Sequence, residues 1–245
     1  KQKGNSVGFG EDQWISALAN TMKIDDYITN NVRILDRNDP KGETAFYVDE
    51  WGTWYDPEPG REPGFLYQQN TLRDALVAAI NFNIFHRHAR RVQMTNIAQM
   101  VNVLQAMILT DGPRMALTPT YHVFHMYKPF QGATFLPTDI STPDYKLGDA
   151  RVPAVTVSAA RDTEGKIQLA LVNLDPKREA RVTARVRGAN AQSASGRVLT
   201  ADAMDARNTV DAPTDVQPTS FEASREGDEI VLMLPAKSVS VVQLQ

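Results

Sequence analysis

The sequence contains no cysteine, no run of apolar residues long enough to cross a membrane, and no marked excess of charge of either sign. The missing cysteines exclude disulfide bonds and thiolate metal ligands, but cytosolic and exported proteins can both lack cysteine. The net charge of -3 over 245 residues excludes the basic surface that nucleic-acid binding requires. We therefore predict a globular protein whose partners include neither a nucleic acid nor a membrane.

The strongest chemical signal lies in residues 44–55, where an apolar, β-prone run ends in a carboxylate that two tryptophans follow. The nearly continuous apolar run over residues 45–48 predicts a parallel strand that is buried on both faces. Glu50 then lies at the carboxyl end of this strand, the end that carries the chemistry in barrels of parallel strands. Trp51 and Trp54 are candidate apolar walls for a sugar ring. These residues fit a second interpretation equally well, in which Glu50 begins a solvated loop and both tryptophans pack in the core.

Helical and strand periodicities organise the first half of the chain around this motif. Apolar residues at spacings of three and four predict helices, and alternating proline and glycine predict a loop that overhangs the strand end. The predicted elements are a helix over residues 11–31, the loop over 56–64, a helix over 69–90, a strand over 91–96 and a helix over 97–109. They form two strand–helix units of the kind that close a barrel.

From about residue 152 the apolar period changes to two, which is the period of strands. The segment 203–223, rich in Asp, Asn, Thr and Pro, predicts a long surface excursion between strands. The predicted strands are residues 152–161, 166–174, 180–188, 196–203, 229–235 and 238–245. Short strands separated by turn signals are typical of an antiparallel β-sandwich.

Three blocks of sequence carry a resemblance to a known family. They are VDEWGTWYD at residues 48–56, the long segment LRDALVAAINFNIFHRHARRVQMTNIAQMVNVLQAMILTDGPRM at 72–115, and LTPTYHVFHMYKPFQGA at 117–133. They resemble the C-terminal half of a family 51 glycoside hydrolase, and the resemblance stays in register over most of the chain. Members of this family are mainly α-L-arabinofuranosidases. The resemblance implies the C-terminal portion of a (β/α)8 TIM barrel over residues 1–130 and a jelly-roll-like antiparallel β-sandwich over residues 131–245.

The resemblance also implies a retaining, exo-acting hydrolysis that removes terminal arabinofuranosyl residues from arabinan, arabinoxylan or derived oligosaccharides. Retaining glycosidases use two carboxyl groups about 5 to 5.5 Å apart, one as nucleophile and one as acid and base. Glu50 matches the family's nucleophile. The acid/base glutamate of the family follows an asparagine on an earlier barrel strand, and the sequence contains no Asn-Glu pair. We therefore expect this chain to be inactive alone and to need the N-terminal half of the same enzyme as its partner.

Two further residues match sugar-contacting positions of the family. Gln99 matches a glutamine that hydrogen-bonds arabinose hydroxyl groups, a task that suits an amide because it can donate and accept at once. Trp54 resembles the aromatic residue that lines the sugar site. Without the resemblance, a helix-start residue that caps backbone groups is the better interpretation of Gln99. Trp51 is better explained by packing, and Asp49, on the opposite pleat from Glu50, is expected to point away from the site.

The four histidines do not form a familiar zinc motif, because no carboxylate or cysteine is placed to complete one. His86 and His88 diverge on the predicted helix, whereas His122 and His125 can share a face. The family needs no metal, so neither a metal nor another cofactor is predicted. Oligomers are common in the family, and the resemblance therefore implies a homo-oligomer.

Two rival functions stay open. One is a non-catalytic β-sandwich carbohydrate-binding protein with a barrel remnant, and the other is a related glycoside hydrolase that cleaves β-glucan chains. Neither accounts for Gln99 and residues 48–55 as economically as an arabinofuranosidase does. The sequence leaves open the linkage preference and the compartment, since a cytoplasmic and a periplasmic or secreted enzyme are both compatible with it.

Overall fold

A computed structural model describes residues 3–188 and 191–245, which contain three α-helices and fourteen strands. The first half of the chain alternates helices with short strands. Its elements are α1 (Glu11–Asn38), β1 (Phe46–Trp51), α2 (Leu72–Arg87), β2 (Val92–Ile97), β3 (Ile108–Asp111), β4 (Arg114–Leu117) and α3 (Pro119–Met126). No helix among the described residues is both long and apolar enough to span a membrane.

The second half of the chain consists of strands. They are β5 (Thr134–Leu136), β6 (Asp144–Leu147), β7 (Ala150–Pro153), β8 (Val155–Arg161), β9 (Ile167–Asn173), β10 (Ala180–Ala184), β11 (Ser193–Leu199), β12 (Thr219–Glu226), β13 (Glu229–Leu234) and β14 (Ser238–Leu244). Eight of them form one antiparallel sheet in the order β10-β13-β12-β11-β14-β9-β8-β5. β6 and β7 form a separate hairpin beside it.

The large sheet folds over on itself. Strands far apart in its order, such as β13 and β8, bury side chains in the same apolar core, where Leu232 lies with Val155 and Leu171. Two layers that share one core are the arrangement of a β-sandwich. Each of the six runs of period two overlaps an observed strand, so the predicted sandwich is confirmed.

The predicted surface excursion over residues 203–223 is only partly right. Strand β12 begins at Thr219, inside that segment. Asn208 and Val216 are also fully buried, and the Asn208 side-chain amide donates to the carbonyl oxygens of Leu117 and Val216. Polar composition suggested a surface loop. The Asn208 amide is instead hydrogen-bonded to backbone carbonyl groups of Val216 and of Leu117 at the end of β4.

β1 and β2 form a parallel pair, with α2 as the connection between them. Phe46 is paired with Val92, and Trp51 with Ile97. Parallel strands end at the same edge of a sheet, so the residues that follow Trp51 and Ile97 lie side by side. The register therefore places the two predicted sugar-contacting segments at one edge.

The prediction that β1 is buried on both faces is wrong for this chain. Phe46 and Val48 pack against the core, but Asp49 and Glu50 are exposed and Tyr47 is 54% exposed. On β2, Met94 is likewise 43% exposed. Phe46 and Val48 pack on the helix side of the pair, whereas Tyr47 and its partner Met94 are exposed on the other side.

The helix α2 is buried around nearly its whole circumference. Its first turn is closed by a capping box, in which the Thr71 side chain accepts from the N3 backbone and the Asp74 side chain accepts from the Thr71 N–H. Such a box satisfies backbone donors that the start of a helix leaves free. The helix packs on both α1 and β8, and one apolar core therefore joins the two halves of the chain.

The predicted helix over residues 97–109 does not exist. The backbone there forms a tight turn, with positive φ at Asn102 (59°) and Leu104 (50°), and then enters β3. Positive φ is incompatible with a right-handed helix. The turn is held by Asn102, whose side chain donates to Thr110 Oγ1 and accepts from the Thr110 N–H, each at 2.7 Å. The helical spacing of apolar residues was therefore misleading, and Met100 is 62% exposed.

Candidate active site

Glu50 is the second-last residue of β1, and its side chain is exposed at the edge where β1 and β2 end. The next residue, Trp51, is tied to the end of β2, because its carbonyl oxygen accepts from the Ala98 N–H at 2.8 Å. Gln99 follows Ala98 directly. Glu50 and Gln99 are therefore presented by two neighbouring, hydrogen-bonded strand ends.

Glu50 lines a cavity of about 700 Å³ between β1 and α1. The wall on the helix side is polar, with Asp12, Gln13 and Asn20. Within the described part of the chain, no hydrogen bond or ion pair involves the Glu50 carboxylate. A carboxylate that is to stay ionised and attack an anomeric carbon needs donors or a cation nearby. That such groups hold Glu50 remains a prediction.

The two tryptophans have different environments. Trp51 is buried at 6% exposure and contacts the rings of Phe82 and Phe85 edge-on, at centroid distances of 5.6 and 5.5 Å. Its predicted packing role is confirmed. Trp54 is 53% exposed and lines the same cavity as Glu50, and the Lys3 ammonium nitrogen lies 3.6 Å from its ring centroid. An aromatic face that accepts a cation is also a face on which a sugar ring can stack.

Gln99 is exposed in the turn after β2. Its N–H donates to the Val103 carbonyl oxygen at 3.1 Å, and no hydrogen bond of its side-chain amide occurs within the described residues. The alternative interpretation, a cap at the start of a helix, is wrong because no helix follows. The amide is thus available to a ligand as both donor and acceptor. Asp49 is exposed on β1.

A buried polar network lies beneath the exposed residues, and sequence reasoning missed it. Asp74 is fully buried, and its Oδ1 accepts from Thr53 Oγ1 at 2.9 Å and from the Tyr55 hydroxyl at 3.0 Å. Gln68 accepts from the Tyr55 N–H and donates to Thr53 Oγ1. The only sequence signal was the Thr71-x-x-Asp74 capping box, which marks a helix start but not its contacts.

This network shapes the electrostatics under the site. Burial raises the pKa of Tyr55 well above its usual value, and the charge of Asp74 raises it further, so Tyr55 stays a neutral donor. The Arg73 guanidinium lies between the rings of Phe9 and Tyr55, at 3.6 and 4.0 Å from their centroids. It also donates to the Asn5 carbonyl oxygen at 2.7 Å. The segment that follows Glu50 is therefore fixed on a rigid base of buried polar and aromatic groups.

The histidines lie elsewhere, and only His86 and His88 make the predicted hydrogen bonds with the framework, since His122 Nε2 is buried without a partner among the described residues. His86 Nδ1 is 2.9 Å from Ser158 Oγ, and burial lowers the pKa of His86 to about 4. His88 Nε2 is 2.6 Å from Asp25 Oδ1. Over residues 3–188 and 191–245, no group of three or more His, Cys, Asp or Glu side chains could hold a metal ion.

Comparison with known proteins identifies the family of the chain. The family model for the alpha-L-arabinofuranosidase C-terminal domain matches residues 49–238. Over 245 residues, the chain is 40% identical to an intracellular exo-alpha-L-arabinofuranosidase of Bacteroides ovatus. The match covers 99% of this chain and 48% of that protein.

Solved structures show the same fold. The family 51 arabinofuranosidase from Xanthomonas axonopodis pv. citri matches with a TM-score of 0.97 and 51% identity, over 99% of this chain and 49% of that one. The alpha-L-arabinofuranosidase from Thermotoga maritima, in complex with arabinose, matches with a TM-score of 0.80 over 96% of this chain and 50% of that one. At 22% identity, the second match shows the fold alone.

These matches confirm the predicted fold class, which is the C-terminal part of a (β/α)8 barrel followed by an antiparallel β-sandwich. The chain spans about half the length of these relatives.

Proposed function

The chain belongs to the alpha-L-arabinofuranosidase C-terminal domain family, and from this premise we propose that it supplies the nucleophile of a retaining, exo-acting α-L-arabinofuranosidase. Glu50 attacks the anomeric carbon of a terminal arabinofuranosyl residue and forms a covalent arabinosyl-enzyme. A second carboxyl group protonates the leaving oxygen and then activates the water that hydrolyses this intermediate. The proposed substrates are arabinan, arabinoxylan and oligosaccharides derived from them.

One observation carries this proposal: three exposed side chains of suitable chemistry lie at or just after the adjacent ends of two parallel strands. Glu50 offers a carboxylate, Gln99 an amide without a protein partner among the described residues, and Trp54 a half-exposed aromatic face. A furanose ring presents hydroxyl groups that need both donors and acceptors, and apolar C–H faces that pack on aromatic rings. The three side chains match these needs, with Gln99 and Trp54 binding the sugar that Glu50 attacks.

We propose that the acid/base glutamate and the remaining barrel strands come from the N-terminal half of the same enzyme. Both outer edges of the β1–β2 pair lack a described partner strand, and Tyr47 and Met94 are exposed on it. On α1, Tyr27 and Ile34 are exposed to 66% and 58%. Apolar side chains and free strand edges of this kind are expected where a barrel is continued by further strands. Alone, the chain is therefore expected to hydrolyse nothing.

The division at residues 130 and 131 belongs to the same proposal. All the helices and the parallel strand pair precede residue 131, whereas the eight-stranded sheet begins at Thr134. A homo-oligomer is also part of the proposal, on family resemblance alone.

The decisive experiment uses the enzyme with both halves present and a mechanism-based arabinofuranosyl inactivator. Intact mass spectrometry followed by peptide mapping should locate one adduct on Glu50. The matched pair of variants is Glu50→Gln and Asp49→Asn, because the two carboxylates are neighbours on β1 and are both exposed. Glu50→Gln should abolish labelling and hydrolysis, whereas Asp49→Asn should retain both.

The other outcomes separate the rival functions. If arabinofuranosides bind but Glu50 stays unlabelled, the hydrolase proposal fails and a non-catalytic carbohydrate-binding protein is indicated. If the enzyme cleaves β-glucan chains and leaves arabinofuranosides intact, the reaction type stands and the substrate class is wrong.

A further inference from the structure

The segments that carry Glu50 and Gln99 are both hydrogen-bonded to one buried residue, Gln105, the first to its side chain and the second to its backbone. Its Oε1 accepts from the Thr53 N–H at 3.1 Å, three residues after Glu50. The backbone N–H of Gln105 donates to the Ala98 carbonyl oxygen at 2.8 Å, and Ala98 directly precedes Gln99. Gln105 is fully buried, so these contacts are shielded from water.

The amide of Gln105 is anchored on the helix side of the site as well. Its Nε2 donates to the Asp74 carbonyl oxygen at 2.7 Å and to Thr120 Oγ1 at 3.4 Å. The first contact connects it to the capped first turn of α2, and the second to the first turn of α3. A carboxylate cannot donate and an aliphatic side chain can do neither, so only an amide satisfies both sides of this arrangement.

The approach of the two segments is close at this point. Gly52 has φ of +146°, and a β-carbon there would lie 3.2 Å from the Ala98 carbonyl oxygen and 3.4 Å from Gln105 Cβ. A side chain at residue 52 would therefore be crowded against both Ala98 and Gln105. The hydrogen bonds of Gln105 prevent the two segments from moving apart, because each segment is held to the same residue.

We propose that Gln105 is a positioning residue that fixes the separation of Glu50 and Gln99, and thereby aligns the nucleophile with the sugar that Gln99 holds. This inference rests on the proposed function. Gln105 is 0% exposed and so touches no substrate itself. A displacement of about 1 Å between reacting groups can cost about 100-fold in rate, which makes such a residue kinetically visible.

A merely structural role would affect stability without affecting the kinetics, so the test needs a control that loses the same kind of group elsewhere. Gln168 is that control. It is 4% exposed on β9, and its Nε2 donates to Asp162 Oδ2 at 2.8 Å. Gln105→Met and Gln168→Met remove equivalent buried amides and keep a side chain of similar length.

The enzyme with both halves present is assayed at a temperature at which both variants are folded by circular dichroism. Gln105→Met should lower kcat/KM by 10- to 100-fold and slow labelling of Glu50 by the inactivator to a similar extent. Gln168→Met should keep both within twofold. Gln105→Asn keeps an amide on a shorter side chain and should fall between them; it also serves if Gln105→Met does not fold. Kinetics of Gln105→Met equal to those of Gln168→Met would overturn the inference.

A double-mutant cycle tests whether Gln105 acts through Gln99. Gln99→Ala should cost less in the Gln105→Met background than in the wild type, because a misplaced amide has less binding to lose. Losses that simply multiply would count against the inference.

Hydrogen exchange provides a readout that does not depend on the reaction. Gln105→Met should speed amide exchange in residues 52–55 and 98–104 together, and Gln168→Met should leave both segments unchanged. A wild-type enzyme that shows neither activity nor labelling would refute the proposed function. The hydrogen-exchange rates of Gln105→Met would then be the remaining test of the positioning role. Unchanged exchange in either segment would refute that role whether or not the enzyme is active.

Discussion

The antiparallel sandwich and the parallel strand pair differ in what they leave uncovered. All seven residues of β9 are buried, and β8 and β14 are hydrogen-bonded to its two edges. β1 has one strand partner, and its residues 47, 49 and 50 are exposed. The sandwich completes its own core, whereas the parallel pair presents polar and aromatic groups that nothing in the described chain engages. The chemistry and the partner are therefore expected at the pair, and the stability at the sandwich.

The largest effect should come from Glu50→Gln, and it should be an effect on activity alone. Loss of a nucleophile is expected to lower kcat by at least about 10³-fold. The exposed side chain makes no described contact, so the free energy of unfolding should change by no more than about 0.5 kcal/mol. Hydrolysis assays and denaturant unfolding of the same samples check both numbers. A large loss of stability would show that Glu50 supports the fold instead.

Trp51 and Trp54, three positions apart, offer a matched comparison of a buried and a half-exposed ring. Trp51→Ala removes a buried ring and should cost about 3–5 kcal/mol of unfolding free energy. Trp54→Ala removes a half-exposed ring and should cost about 1 kcal/mol or less of unfolding free energy. KM should rise about fivefold, because a stacking contact worth about 1 kcal/mol is lost. Thermal unfolding and steady-state kinetics give the two quantities. Equal stability losses would contradict the different environments of the two rings.

Core truncations compare the two regions directly. Leu171→Ala on β9 should destabilise this chain by about 2–5 kcal/mol, because Leu171 is 2% exposed. Tyr47→Ala on β1 should cost well under half as much in this chain, since Tyr47 is 54% exposed. With the N-terminal half present, the cost of Tyr47→Ala should rise as the ring becomes buried. An unchanged cost would show that the partner does not cover this face.

The smallest predicted effect concerns the joint between the regions, where His86 of α2 meets Ser158 of β8. Its folded pKa of about 4 lies below the ordinary value of 6.5, so the unfolded chain binds the proton first as the pH falls. Stability is therefore lost from pH 6.5 downwards to about pH 4. Between pH 7.5 and pH 5 the loss from this group should be about 2 kcal/mol.

His86→Gln should remove that pH dependence and keep a side chain that can bond to Ser158. Urea unfolding of both proteins at the two pH values measures the difference. A wild-type protein and a His86→Gln variant with the same change in unfolding free energy would show that His86 is not the group responsible.

Local sequence was sufficient to predict a helix or strand where the segment buries the face that its apolar spacing indicates. The apolar spacings predicted α1 and α2, although α1 runs seven residues beyond the predicted end, to Asn38. Period-two runs predicted six of the eight strands of the large sheet, but not β5 or β12. The site residues Glu50, Gln99 and Trp54 were proposed from motif and resemblance, and their exposure on neighbouring strand ends agrees with a binding role.

Only tertiary structure decided the turn after β2 and the network beneath the site. Residues 97–109 have helical apolar spacing, but hydrogen bonds from Asn102 to Thr110 and pairing of β3 with β4 hold a different backbone. Gln105 and Asp74 gain their roles from distant partners such as Thr53, which lies 52 residues from Gln105 and 21 from Asp74 along the chain. The sequence by itself thus determined α1, α2, the β1–β2 pair and most strands of the sandwich, and which residue types can do the chemistry. The distances and burial that join them come from long-range packing, because contacts between distant residues are not encoded in any local period.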